Sequence, residues 1–243
     1  MTALIRAQAC LLGTLRSTYV VAGALIAVVA LITGITMTEA GSPDLRTESQ
    51  LREPLVAGAG IMVAVVMAVL ASTRIAGEYR HASIVQRMLA APRRLRLVAA
   101  ALLVHGTFAA FVSGAAFAAG VAITGPTLTA SDLSTGLAGG ELARVGAAVV
   151  LAGTAFGMLG TAIGFLTRSP AAAVVTVFAA FFVEKLVGPL MGEISGYLPY
   201  SLLNSLLELD GPLPVGTAAA ALAATTLAVS ALAAAMVQRR DVV

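Results

Sequence analysis

Five stretches of this chain run for twenty residues or more without a single Asp, Glu, Lys or Arg. An α-helix rises about 1.5 Å per residue, so roughly 20 apolar residues cross the hydrocarbon core of a bilayer, which is about 30 Å thick. A sixth stretch, 171–191, is uncharged as far as Val183 and then carries Glu184 and Lys185. We therefore predict an all-α fold of six transmembrane helices, at about 18–38, 54–73, 97–123, 145–167, 171–191 and 213–237.

The charged residues fall unevenly on the two sides of these predicted spans. If successive connections alternate between sides, one side holds eleven of the fifteen basic residues but only two of the twelve acidic residues. Lys and Arg near the ends of spans remain preferentially in the cytoplasm. We therefore expect a multi-pass protein of the plasma membrane whose N- and C-termini are both cytoplasmic.

Composition excludes an ordinary soluble domain, because 59% of the residues are hydrophobic and only 11% are charged. The longest predicted gap between spans is about twenty residues. We therefore expect residues 1–243 to form a single transmembrane domain surrounded by the lipid bilayer. A formal net charge of +3 does not indicate nucleic-acid binding.

Residues 1–16 precede the first predicted span. Leu4, Ile5, Leu11 and Leu12 recur at helical spacing, with polar residues between them. This pattern favours an interfacial helix that lies on the cytoplasmic leaflet. The alternative is a frayed, basic N-terminus that only sets the topology.

The fourth predicted span, 145–167, carries two pairs of glycines: Gly153 with Gly157, and Gly160 with Gly164. Small residues four apart let another helix approach closely in a membrane. We expect this span to be a central packing helix. A helix that slides during transport would carry the same residues.

The connection between the second and third spans has the most specific pattern. Residues 77–91 read GEYRHASIVQRMLAA, and Pro92 follows them. Apolar and polar residues occupy different helical faces: Ile84, Val85, Met88 and Leu89 on one, and Arg80, Ser83, Gln86 and Arg87 mainly on the other. We predict a short amphipathic cytoplasmic helix that ends before the proline. Physical reasoning alone allows it either to bind a partner or to anchor to anionic lipid.

This connection resembles a motif in the permease subunits of ABC exporters of the second type, the ABC-2 family. That family often carries a Gly-Glu-Tyr/Phe-Arg-His-Gly/Ser-Thr/Ser run here, and Gly77 to Ser83 matches it, with Ala82 where glycine is commoner. The segment Gln238 to Val242 also resembles the family's basic ending after the last span. With the six-span plan, the resemblance covers nearly the entire chain.

In the ABC-2 family, the helix in this connection is a coupling helix that docks on a separate cytoplasmic ABC ATPase. The resemblance therefore implies docking residues within 77–91, namely Gly77, Glu78, Tyr79, Arg80, His81, Ile84 and Arg87. No G-x-x-x-x-G-K-[ST] loop occurs in this chain, so we expect ATP and Mg²⁺ on the partner and no cofactor here. The family's architecture further implies a homodimer or a paired permease.

Between the fifth and sixth spans, residues 188–214 combine four prolines with the apolar run Leu202 to Leu207. The resemblance implies short helices that re-enter the outer leaflet. A collapsed exterior loop is the alternative.

The remaining chemistry-bearing residues do not indicate an enzyme. His81 and His105 are 24 residues apart, and neither is followed at i+3 or i+4 by another ligand type, so we expect no metal site. The five uncharged spans lack carboxylates, and no G-x-S-x-G elbow occurs, so we expect no catalytic residues. We expect His105 to be buried and hydrogen-bonded to another span, and Glu184 with Lys185 to form an interfacial pair that sets topology. A proton-relay or cargo role for these residues stays open.

The resemblance implies a transmembrane permease subunit of an ATP-driven exporter. The uncharged spans favour an apolar or amphiphilic cargo, such as a drug-like natural product, a lipid or a peptide. The alternative function is a non-transporting membrane scaffold or regulator that anchors a cytoplasmic partner.

Overall fold

The computed structural model describes residues 2–14, 16–39, 56–81, 83–84, 94–130, 139–209 and 211–239. The regular elements within these ranges are all helical. The α-helices are α1 (Thr2–Thr14), α2 (Arg16–Glu39), α3 (Val63–Arg80), α4 (Arg94–Ala130), α5 (Gly139–Thr167), α6 (Pro170–Val187), α7 (Pro199–Leu206) and α8 (Val215–Arg239). A π-helical turn, Ala57–Met62, runs directly into α3, and two 3₁₀ helices, Gly188–Leu190 and Gly192–Tyr197, lie between α6 and α7.

Within the described ranges, six helices are long and apolar enough to cross a membrane. They are Thr18–Ile35, Ala57–Arg80, Arg94–Thr124, Gly140–Thr167, Pro170–Leu190 and Val215–Arg239. The predicted all-α fold with six spans is therefore confirmed, and by helix length and hydropathy the chain is a multi-pass membrane protein. Three spans extend to an arginine beyond the uncharged stretches, at Arg80, Arg94 and Arg239, because a long arginine side chain can reach the interface from within a helix.

Because the spans alternate in direction, their ends form two groups. We call one group the basic end, since the ends at Arg16, Arg80, Arg94 and Arg239 lie there. At this end Arg94 Nη1 donates to the carbonyl of Val237, at 3.3 Å, which joins the start of α4 to the end of α8. The other group, which we call the α7 end, carries the short helix α7.

Helix α5 lies at the centre of the bundle. It packs against α3, α4, α6 and α8, and 67% of its most apolar window is buried. The corresponding windows of α2, α6 and α8 are between 22% and 28% buried, so these helices form the periphery. The bundle therefore presents most of its apolar surface to the bilayer through α2, α6 and α8.

The N-terminal segment is helical from Thr2 to Thr14, and this helix, α1, packs against α4. Between α1, the start of α2 and α4 lies an apolar groove of about 500 Å³, lined by residues that include Ile5, Ala9, Tyr19 and Phe108. The placement of α1 at the lipid interface stays a prediction.

Candidate functional site

The motif that begins at Gly77 lies at the basic end, where α3 stops. Gly77, Glu78, Tyr79 and Arg80 form the last turn of α3 and are continuous with the second span. The structure thus differs from the expectation of a separate helix that starts at Gly77. Nothing stops α3 earlier, because Val63–Arg80 contains no proline and a glycine within a helix costs only about 1 kcal/mol.

The helix breaks at His81. The His81 N–H donates to the carbonyl of Gly77, at 3.0 Å, in a turn that closes α3. Ser83 and Ile84 are again helical. Arg87 and the rest of 85–91 lie outside the described residues, so the coupling helix stays a prediction over that range.

The predicted docking residues differ in exposure. Arg80 and His81 are exposed, whereas Gly77, Glu78 and Tyr79 are half-buried. These five residues therefore lie together at the basic end, with Arg80 and His81 nearest to solvent.

Ile84 does not fit the expected docking surface. Its side chain is only 2% exposed and packs in a core cluster with Ile75, Leu97 and Phe165. The reason is that the chain turns back at His81 and places Ile84 over the ends of α3, α4 and α5. In the described structure Ile84 is part of the bundle's own core.

Tyr79 connects the end of α3 to the connection between α5 and α6. Its ring meets the ring of Phe165 edge to face, with the centroids 6.4 Å apart. The guanidinium carbon of Arg168 lies 5.1 Å from the centroid of the Tyr79 ring, at cation–π distance. Arg168 was not predicted, because a lone arginine between two spans carries no periodic or motif signal.

The first glycine pair of α5 faces α4. A Cβ added to Gly157 would lie 2.7 Å from the Cβ of Ala109 and 3.0 Å from the carbonyl oxygen of His105. A Cβ on Gly153 would overlap the side chain of Ser113. These distances leave no room for a larger residue, so α4 and α5 are in close backbone contact.

The second pair faces a different helix, α3. A Cβ on Gly164 would lie 2.6 Å from the carbonyl oxygen of Ser72, and a Cβ on Gly160 would overlap the backbone of Ala68. The α3–α5 contact is thus also made through the backbone. Helix α5 therefore holds α4 near its middle and α3 nearer the basic end.

His105 is buried, and its described hydrogen bond joins Nδ1 to the carbonyl of Ala101, at 2.9 Å, within α4 itself. The acceptor of this bond is one helical turn back on the same helix, and the hydrogen bond to another span stays a prediction. A backbone carbonyl of the preceding turn is the nearest acceptor to many polar side chains in a membrane helix.

Glu184 and Lys185 make separate contacts with α7 and its N-terminal turn, and their role in setting the topology stays a prediction. Glu184 is only 8% exposed, and its two carboxylate oxygens accept from the backbone N–H groups of Tyr200, at 2.9 Å, and Ser201. These are two of the N–H groups that the first turn of a helix leaves without a partner. Lys185 Nζ lies 4.6 Å from the centroid of the Tyr200 ring. Glu184 therefore caps α7 from the end of α6.

Helix α7 packs against the bundle through its leucine side chains. Its side chains Leu202, Leu203 and Leu206 are buried, and the adjoining Leu207 contacts Gly60 in the π-helical turn. Beyond α7, both carboxylate oxygens of Glu208 accept from the Arg144 guanidinium. The segment thus forms a packed short helix fixed at both ends, not a collapsed loop.

Comparison with models of known protein families and with curated protein sequences gives no match. Within the described ranges, no group of three or more His, Cys, Asp and Glu residues could hold a metal ion. The similarity to ABC-2 permeases therefore depends on the residues of this chain alone.

Proposed function

We propose that this chain is the transmembrane permease subunit of an ATP-driven exporter of the ABC-2 type. The observation that supports this most is the run from Gly77 to Ser83, together with its position: it closes α3 at the basic end, where Arg80 and His81 are exposed. In this proposal the basic end is cytoplasmic, the membrane is the plasma membrane, and a separate ABC ATPase binds at Arg80 and His81. ATP and Mg²⁺ belong to that partner, and a second permease copy completes the transporter.

The packing of α3 supports a mechanism of coupling. Movement of the ATPase would act on the last turn of α3. Because the backbones of α3 and α5 touch at Gly160 and Gly164, no flexible side chain separates the two helices at these positions. A displacement of α3 would therefore move α5, and the Tyr79–Arg168 contact would carry it to the start of α6.

The proposed cargo is apolar or amphiphilic, such as a drug-like natural product, a lipid or a peptide. The spans offer few ionisable side chains to a hydrophilic ion, and the carboxylate of Glu184 is already engaged by α7. An apolar cargo needs no charged group at membrane depth.

The test is reconstitution of the chain with candidate ABC ATPases in lipid vesicles. We expect ATP-dependent movement of an apolar fluorescent cargo, and we expect Arg80→Glu to abolish it while ATPase binding weakens at least tenfold. Arg96→Glu is the matched control, since Arg96 is also exposed at the basic end. Equal losses in both variants would contradict the docking role of Arg80. Stable ATPase binding without cargo movement would favour the scaffold, and binding to no ATPase would contradict the proposal.

A further inference from the structure

Among the buried polar atoms that have no hydrogen-bond partner in the described part of the chain, two belong to one contact at the basic end. They are Tyr79 Oη and Arg168 Nε. Buried donors are nearly always satisfied in proteins, because an unpaired donor loses its hydration without replacement. The two atoms belong to one contact, in which the Arg168 guanidinium carbon lies 5.1 Å from the Tyr79 ring centroid. A single acceptor bound here would pair with both donors.

The backbone of Arg168 has an unfavourable conformation. Its φ is +55°, in the left-handed region that residues with a Cβ seldom adopt. The Arg168 N–H still donates to the carbonyl of Gly164, at 3.1 Å, so α5 continues up to this residue. The chain then turns through Ser169 into Pro170, the first residue of α6. This conformation directs the guanidinium over the Tyr79 ring.

The contact between Arg168 and the Tyr79 ring is not a hydrogen bond, so it leaves Arg168 Nε available to donate. The guanidinium carbon of Arg168 lies over the Tyr79 ring, and Nε, one of the group's planar set of N–H donors, has no partner among the described residues. Arg168 as a residue is half-buried, so part of the residue reaches the surface. Phe165 packs edge to face against Tyr79 and fixes the ring that carries the hydroxyl.

The charges around this contact favour an anion. Among the described residues, the charged side chains that act on the Tyr79 hydroxyl are those of Arg168, Arg94 and Glu78, which are two guanidinium groups and one carboxylate. Arg168 follows directly after the span that ends at Thr167, so we expect it near the level of the lipid headgroups. A basic pocket between transmembrane helices at this depth is suited to a phosphate headgroup.

We propose that Arg168 and Tyr79 form a binding site for a phosphate group, carried by a membrane phospholipid or free in solution. The guanidinium supplies charge-assisted donors, and the Tyr79 hydroxyl supplies a neutral donor beside it. Phosphate binding here needs neither an ATPase nor a cargo, so its test does not depend on the proposed transport function.

The experiment uses the full chain purified in a neutral detergent. Bound lipid is counted by native mass spectrometry after addition of phosphatidylglycerol, or of a diacylglycerol with the same acyl chains but no phosphate. We expect retention of phosphatidylglycerol alone, a loss of about tenfold in Arg168→Gln, and a loss of about threefold in Tyr79→Phe. The matched control is Arg239→Gln, which removes an exposed charge from the same end and should leave retention unchanged.

A second arm replaces the lipid by inorganic phosphate and measures the thermal stability of each variant. Stabilisation of the wild type but not of Arg168→Gln by inorganic phosphate identifies free phosphate as a ligand. An effect of phosphatidylglycerol alone identifies the membrane as the source. Both outcomes support the phosphate site.

The proposal is overturned if neither phosphate source distinguishes Arg168→Gln from the wild type. It is equally overturned if Arg239→Gln loses as much lipid as Arg168→Gln, or if diacylglycerol is retained as well as phosphatidylglycerol. Should Arg168→Gln lose its helical circular dichroism, Tyr79→Phe decides the matter, since it keeps the ring over which the guanidinium lies and removes only the hydroxyl.

Discussion

The contact between α3 and α5 predicts an unusual response to the mildest possible substitution. Gly160→Ala adds one methyl group, and its carbon would lie 2.6 Å from the Cα of Ala68. The obstacle is backbone, which cannot rotate away as a flexible side chain can. The two helices must separate instead, and every contact along their interface is affected.

The expected magnitude follows from two opposing effects. Overpacking of a close contact costs about 1–3 kcal/mol, whereas replacing glycine by alanine within a helix stabilises it by about 0.5–1 kcal/mol. We expect a net loss of about 1–2 kcal/mol in the free energy of unfolding, which is roughly a 5- to 30-fold change in the folded-to-unfolded ratio. Reversible unfolding in mixed detergent micelles, followed by circular dichroism, measures this change.

The matched control is Gly23→Ala, because a Cβ at Gly23 in α2 would meet nothing within 4 Å. That variant should be unchanged or slightly more stable. If Gly160→Ala proved as stable as Gly23→Ala, α3 and α5 would not approach as closely as described, and the coupling mechanism would lose its basis.

Two further predictions concern buried groups at opposite ends of the bundle. Glu184→Gln replaces the carboxylate that caps α7, so we expect faster hydrogen exchange at the Tyr200 and Ser201 amides and a loss of about 1 kcal/mol; unchanged exchange would exclude the cap. Ile84→Ala should lower the free energy of unfolding by about 2–5 kcal/mol, because Ile84 lies in the core cluster of the basic end. The exposed Leu95→Ala is its control, and an Ile84→Ala protein that stays stable but binds the ATPase poorly would restore Ile84 to the docking surface.

The spans were predictable because length and hydropathy are local properties of the sequence. The glycine pairs of α5 indicated close packing, but spacing alone could not say which neighbour each pair meets. Seven residues are almost two full turns, so Gly153 and Gly160 lie on nearly the same face of α5. The two glycines meet different helices because α4 and α3 cross α5 at different heights.

Contacts between distant segments account for most of what sequence reasoning missed. Glu184 caps a helix that begins after two intervening 3₁₀ helices, and nothing local marks it as a cap. Arg168 occupies a left-handed conformation that favours glycine or asparagine, so its residue type gave no hint of the turn. Ile84 had the right spacing for an amphipathic surface, yet the break at His81 turned it inward.

The π-helical turn at Ala57–Met62 affects how the length of this span can change in evolution. A π-helical turn holds one residue more than an α-helical turn, so it absorbs an insertion without opening a loop. Loss of one residue from 57–62 would restore a regular α-helix there and leave the register of α3 beyond Val63 unchanged. Between Ala68 and Ser72 the same deletion would shift the backbone positions that meet Gly160 and Gly164. Related chains should therefore vary in length before Val63 and keep a constant spacing from Ala68 to Ser72.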